Sequence, residues 1–128
     1  MLTTEPGGKI MKLLIVDDSN IIRRQIQREI GVGNHEIRMA GDGVEALQIF
    51  DEFHPEIVTM DITMPNMDGL SCVEAILRKA PDTKILVISA LADRGTAVEA
   101  VKRGATGFLL KPFTSETLAT EISELFVD

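Results

Sequence analysis

Asp17-Asp18, Asp61, Ser89 and Lys111 each stand at the end of an apolar run. Three carboxylates brought within about 5 Å of one another repel by on the order of 3 kcal/mol per pair at an effective dielectric of roughly 20. Such a group calls for a cation. A few hard oxygen donors completed by water suit Mg²⁺ better than Ca²⁺, which collects more protein oxygens. A phosphoryl oxygen could be a further ligand, and the ion would then offset charge developing during phosphoryl transfer. Asp61 is the expected nucleophile, because a carboxylate can attack phosphorus to give an acyl phosphate. Lys111 supplies a cationic donor to phosphoryl oxygens and Ser89 a hydroxyl donor. Taken singly, each residue has a plainer use: turn and cap residues at Asp17-Asp18, a turn start at Asp61, a capping hydroxyl at Ser89, a solvated side chain at Lys111. Those uses do not explain why all of them gather at one place, and the elements that carry them say that they do.

Ile10 to Val16 is a nearly continuous apolar run that ends on Asp17-Asp18-Ser19, as a strand covered on both faces would be. Ile22, Ile26 and Ile30 then recur at helical spacing, and Gly31 to Asn34 stop that helix. Glu36 to Ala40 forms a short strand. Val44, Leu47, Ile49 and Phe50 mark a second helix that ends before His54-Pro55. Ile57 and Val58 lead to Asp61, where Pro65, Asn66 and Gly69 break the pairing. A third helix carries Leu70, Val73, Ile76 and Leu77, and Lys84 to Ser89 is a fourth strand. A weaker helix around Thr96 to Arg103 turns Ala97, Val98, Ala100 and Val101 inward. Gly107 to Leu110 is the last strand, and Ser115 to Phe126 the last helix, capped by Thr114 or Ser115. Strands separated by helix-length segments require parallel pairing with right-handed crossovers. The predicted fold is α/β: a doubly wound sheet of five strands with helices on both faces. Every strand-to-helix loop then opens on the same edge, where such sheets bind ligands.

The 128 residues, 45% hydrophobic and 26% charged, suit one soluble domain. Residues 1–9 read as a flexible tail and 10–128 as the domain. A net charge of -7 argues against direct nucleic-acid binding, and no apolar run is long enough to span a bilayer. The start lacks a secretory leader, so a cytoplasmic protein is expected. Cys72 falls in a helical apolar pattern and reads as core. His35 and His54 flank turns and receive no catalytic or metal role.

Asp17-Asp18, the run Met60-Asp61-Ile62-Thr63-Met64-Pro65-Asn66-Met67-Asp68-Gly69, Ser89-Ala90 and Lys111-Pro112-Phe113 resemble the receiver domain of bacterial two-component response regulators. The likeness covers about Lys12 to Phe126 and is greatest for the stand-alone chemotaxis type, the CheY-like receivers. It implies a flavodoxin-like strand order 2-1-3-4-5, which CheY itself exemplifies. It implies that Asp61 accepts a phosphoryl group from a phosphohistidine on a sensor histidine kinase. By the same likeness Asp18, Asp61 and the Thr63 backbone carbonyl bind Mg²⁺, and Asp17 holds a metal-bound water. Ser89 and Lys111 contact the phosphoryl group, Lys111-Pro112 is cis, and Ser89 and Phe108 form the switch. Ser89 stands where Thr is commoner, and Phe108 lacks the hydroxyl of the Tyr often found there.

Such a protein is a phosphoacceptor rather than an enzyme, catalysing only its own phosphorylation and dephosphorylation. It is expected to be a monomer that meets its kinase near the exposed Ile21 and its output partner through helix 4, strand 5 and helix 5. Chemotaxis is the expected pathway; a relay intermediate or phosphate sink in another pathway is the alternative. A haloacid-dehalogenase-type phosphohydrolase would carry a second Asp where Thr63 stands. A flavin site would place Ser, Thr and Gly, not Asp17-Asp18, in the first loop. A receiver-like binding module without chemistry would lack part of the acidic set, which here is complete.

Overall fold

Unbroken apolar runs need cover on both faces, and the three central strands of the sheet have it. The structure, a computed structural model, describes residues 10–30, 35–62, 64, 66–90 and 94–126. Among them, strands β1 (Lys12–Val16), β2 (Glu36–Ala40), β3 (Ile57–Asp61), β4 (Lys84–Ser89) and β5 (Gly107–Leu110) alternate with helices α1 (Asn20–Ile30), α2 (Gly43–Phe53), α3 (Gly69–Lys79), α4 (Arg94–Lys102) and α5 (Ser115–Leu125). All pairs are parallel, in the order β2-β1-β3-β4-β5. The expected doubly wound sheet and its strand order are therefore present. Central β3 is buried at every position, whereas β2 and β5, at the sheet edges, are only partly covered.

The pleat sends alternate residues to opposite faces. Leu14, Val58, Met60, Ile85 and Val87 pack with Phe50, Cys72, Val73, Ile76 and Ala100 from α2, α3 and α4. Leu13, Ile15, Ile57, Leu86 and Ile88 pack with Ile26, Ile30, Leu118, Ile122 and Leu125 from α1 and α5. Cys72 is core, as expected, and burial pushes its thiol up to about 12. His35 is structural: its Nδ1 accepts the Met11 N–H at 2.8 Å and its ring stacks on Phe126. Thr114 caps α5 in a reciprocal pair with Thr117.

Four apolar residues depart from the sequence expectation. β1 starts at Lys12, where pairing with Glu36 begins, and Ile10 precedes it, more than half exposed. On α4 the residue packed in the core is Ala100, with Ala97 partly exposed, whereas Val98 and Val101 are exposed. Val44 likewise faces outward, because α2 turns Gly43, Ala46, Phe50 and Phe53 to the core instead. The stretch 31–34 and the tail 1–9 lie outside the described residues.

One polar group sits badly in this core. Thr59 on β3, opposite Ile15 and Leu86, is 1% exposed, and its hydroxyl makes no hydrogen bond. A buried hydroxyl without a partner costs on the order of 1 kcal/mol or more. Thr59→Val keeps the shape and removes that cost, so urea unfolding should show a gain of about 1 kcal/mol; a loss would contradict the account.

Candidate functional site

The register of β1 on β3 ends with Val16 beside Met60, and Ile88 of β4 lies beside Asp61. One step further along β1 is Asp17, and one step along β4 is Ser89. Both arrive at the rim where β3 ends. The backbone N–H of Lys111 donates to the Ser89 carbonyl at 2.8 Å, which brings the residue after β5 to the same edge. Carboxylate oxygens of Asp17, Asp18 and Asp61 lie within 4.8 Å of one another. Asp17 and Asp61 are buried and Asp18 is exposed, so the cluster opens to solvent on the Asp18 side. Lys111 reaches in with its Nζ 2.8 Å from Asp17 Oδ2 and 3.6 Å from Asp61 Oδ1. The first contact is an ion pair whose angles do not make a hydrogen bond. Three negative charges thus face one ammonium.

The loops are tied as tightly as the strands. Asp17 Oδ1 accepts the Ser19 N–H at 2.9 Å, which leaves Oδ2 toward Lys111. After β3, Asn66 adopts a left-handed backbone, φ 73°, and its side-chain amide donates to Asp42 Oδ2 at 3.1 Å. Asp42 caps α2 and Asp68 caps α3. Their carboxyls lie below the ordinary range because the backbone N–H groups of Glu45 and Ser71 donate to them. The Lys111-Pro112 bond is cis.

Residues 13–123 match the response regulator receiver domain. The chain belongs to that family. The chemotaxis protein CheY of Listeria monocytogenes is 42% identical over 108 residues, covering 84% of this chain and 91% of that protein. CheY of Thermotoga maritima is 36% identical over 115 residues, covering 89% and 96%. The solved structure of Vibrio cholerae chemotaxis protein CheY4 superposes with a TM-score of 0.84 at 31% identity, over 92% of this chain and all of that one. This is a CheY-like receiver, and receivers act as phosphoacceptors in signalling.

Receiver domains bind Mg²⁺ at an acidic site, and the donors here suit it. They are all oxygens, and Asp17 Oδ2 is buried with no hydrogen bond of its own. Of the site residues expected from sequence, Asp17, Asp18, Asp61 and Lys111 come together, Ser89 borders them, and Phe108 lies half-buried on β5 beside Val87. Ile21 is 77% exposed. Thr63 lies outside the described residues.

Sequence reasoning took Gly69 only as a turn residue. It is the first residue of α3, its N–H donates to the Ile62 carbonyl at 2.8 Å, and a methyl on it would strike the Asp61 carbonyl oxygen and lie 2.7 Å from Ile62 Cα. Both obstacles are backbone, so neither can swing aside. A single sequence carries no signal for this, because the clash is tertiary. Gly69→Ala should push the Asp61 backbone out of place, lowering stability in urea by about 2 kcal/mol and slowing phosphoryl uptake; a variant unchanged in both would refute the contact's role.

Proposed function

We propose that this chain takes a phosphoryl group from a sensor histidine kinase onto Asp61, with Mg²⁺ bound by Asp18, Asp61 and the Thr63 carbonyl and Asp17 holding a metal-bound water. The observation that carries the reading is the gathering of three carboxylate oxygens within 4.8 Å around one lysine at the sheet edge. Bound Mg²⁺ would offset the charge of the acidic site and of the phosphoryl oxygens. Asp61 Oδ attacks phosphorus, the bond from phosphorus to the kinase imidazole nitrogen breaks, and its electron pair stays on that nitrogen. Lys111 Nζ pairs with a phosphoryl oxygen and the Ser89 hydroxyl donates to another. The rims of β1, β3, β4 and β5 bring these groups to one sheet edge, as suits an acceptor whose donor is another protein.

Chemotaxis is the pathway that the named relatives support, and the cytoplasm the compartment. Among the described residues no helix is long and apolar enough to cross a membrane. Ile21, at the start of α1 beside the acidic loop, is a docking contact for the kinase. The output face is α4, β5 and α5, where Val98, Val101 and Leu110 are exposed apolar residues. When Ser89 moves toward a phosphoryl group, Phe108 turns inward beside it; burying that ring is worth a few kcal/mol at most, which biases a two-state equilibrium rather than locking it.

Three measurements check this. Mg²⁺ without phosphate should raise the melting temperature of the wild type, and Asp18→Ala should lose that response whatever its starting melting point. An unchanged response would sink the metal assignment. Transfer from a phosphorylated kinase should vanish in Asp61→Asn, with a melting temperature equal to or above that of the wild type because one repulsive charge is gone; continued transfer would place the acceptor elsewhere. Phe108→Ala should still be phosphorylated but lose phosphorylation-dependent partner binding, and retained dependence would refute the coupling.

A further inference from the structure

The acidic loop after β1 is held by a cation from outside the acidic cluster. Arg23, one turn into α1, donates from its guanidinium to the backbone carbonyl of Asp17 at 2.6 Å and to the Asn20 side-chain oxygen at 3.3 Å. The same guanidinium rests over Gly41, where an added methyl would lie 3.6 Å from it. From the other side, the N–H of Asp17 donates to the Ala40 carbonyl at 3.1 Å, and Asp17 Oδ1 accepts from Ser19. Asp17 is therefore fixed at its N–H, its carboxylate and its carbonyl. That carbonyl belongs to the peptide joining Asp17 to Asp18. Holding its plane sets the direction in which Asp18 leaves the chain, and Asp18, exposed in the loop, has no strand pairing to hold it.

We propose that Arg23 is a positioning residue for the cation site: by gripping the Asp17 carbonyl it aims the Asp18 carboxylate at the metal, without touching the metal or the phosphoryl group. The proposal rests on the reading that the acidic cluster holds Mg²⁺. It makes a prediction opposite in sign to simple electrostatics. A positive charge near a cation site repels the cation, so its removal by field alone would tighten Mg²⁺ binding. Loss of the grip frees the Asp17–Asp18 peptide to rotate, and binding must then restore its orientation, which weakens affinity. Changes to groups that orient ligands in this way cost about tenfold or more in metal affinity.

The experiment is calorimetric titration of MgCl₂ into the unphosphorylated protein, comparing wild type with Arg23→Met, whose apolar side chain replaces the arginine stem and carries no donor. The expected result is a dissociation constant raised by about tenfold, with the melting temperature in chelator little changed. An equal or lower dissociation constant overturns the role of Arg23. If Arg23→Met does not fold, Arg23→Gln takes its place: its shorter side chain ends where the guanidinium begins and cannot grip the Asp17 carbonyl in the same way, so affinity must fall there too, and an unchanged value overturns the proposal. Failure of the wild type itself to bind Mg²⁺ overturns the metal reading and this one with it, an outcome distinct from binding that Arg23 does not influence.

Discussion

The repulsion among Asp17, Asp18 and Asp61 is the constraint to which the rest of the molecule answers. Like charges within 4.8 Å are tolerated only where the chain has little freedom to separate them. Two of the three sit at the ends of adjacent central strands whose register is fixed by Ile15, Val58 and Met60. Slipping that register by one residue would send each side chain to the opposite face, where the two cores are packed around different partners. Core packing therefore holds the three carboxylates together at an edge where Lys111 faces them.

Helix caps at Asp42 and Asp68, the Asn66 bridge and the close approach of Gly69 fasten the segment after Asp61 to α2 and α3. On the opposite side of the site, β5 is an edge strand with a partly exposed pattern, and α4 packs on the core through the small Ala100. Fewer buried contacts mean a lower cost of local rearrangement. Asp61 thus sits in the more tightly fastened half of the edge, while Val98, Val101 and Leu110 lie exposed on the other.

Much of this was legible in the sequence, for a physical reason. Strands buried on both faces read as continuous apolar runs, so β1, β3 and β4 announce themselves, and each chemical residue follows such a run directly. Parallel topology then places their ends together without any knowledge of side-chain contacts. Helix faces were harder. α4 has apolar residues on two adjacent stripes, and periodicity cannot tell that Ala100 packs in the core while Val98 and Val101 do not. The same ambiguity hid the outward turn of Val44. Gly69 and Arg23 act through contacts with backbone of other segments, and nothing in local spacing encodes those.

The central claim is that Asp61 is the acceptor and that its reactivity depends on the cation held beside it. The direct measurement is intact-protein mass spectrometry after incubation with acetyl phosphate, with Mg²⁺ or with chelator, followed by hydroxylamine cleavage and mapping of the modified residue. The account predicts one phosphoryl group, present with Mg²⁺, absent or greatly reduced with chelator, labile to hydroxylamine and located at Asp61. A phosphoryl group on a hydroxyl residue, or equal labelling of Asp61 in chelator, would contradict it.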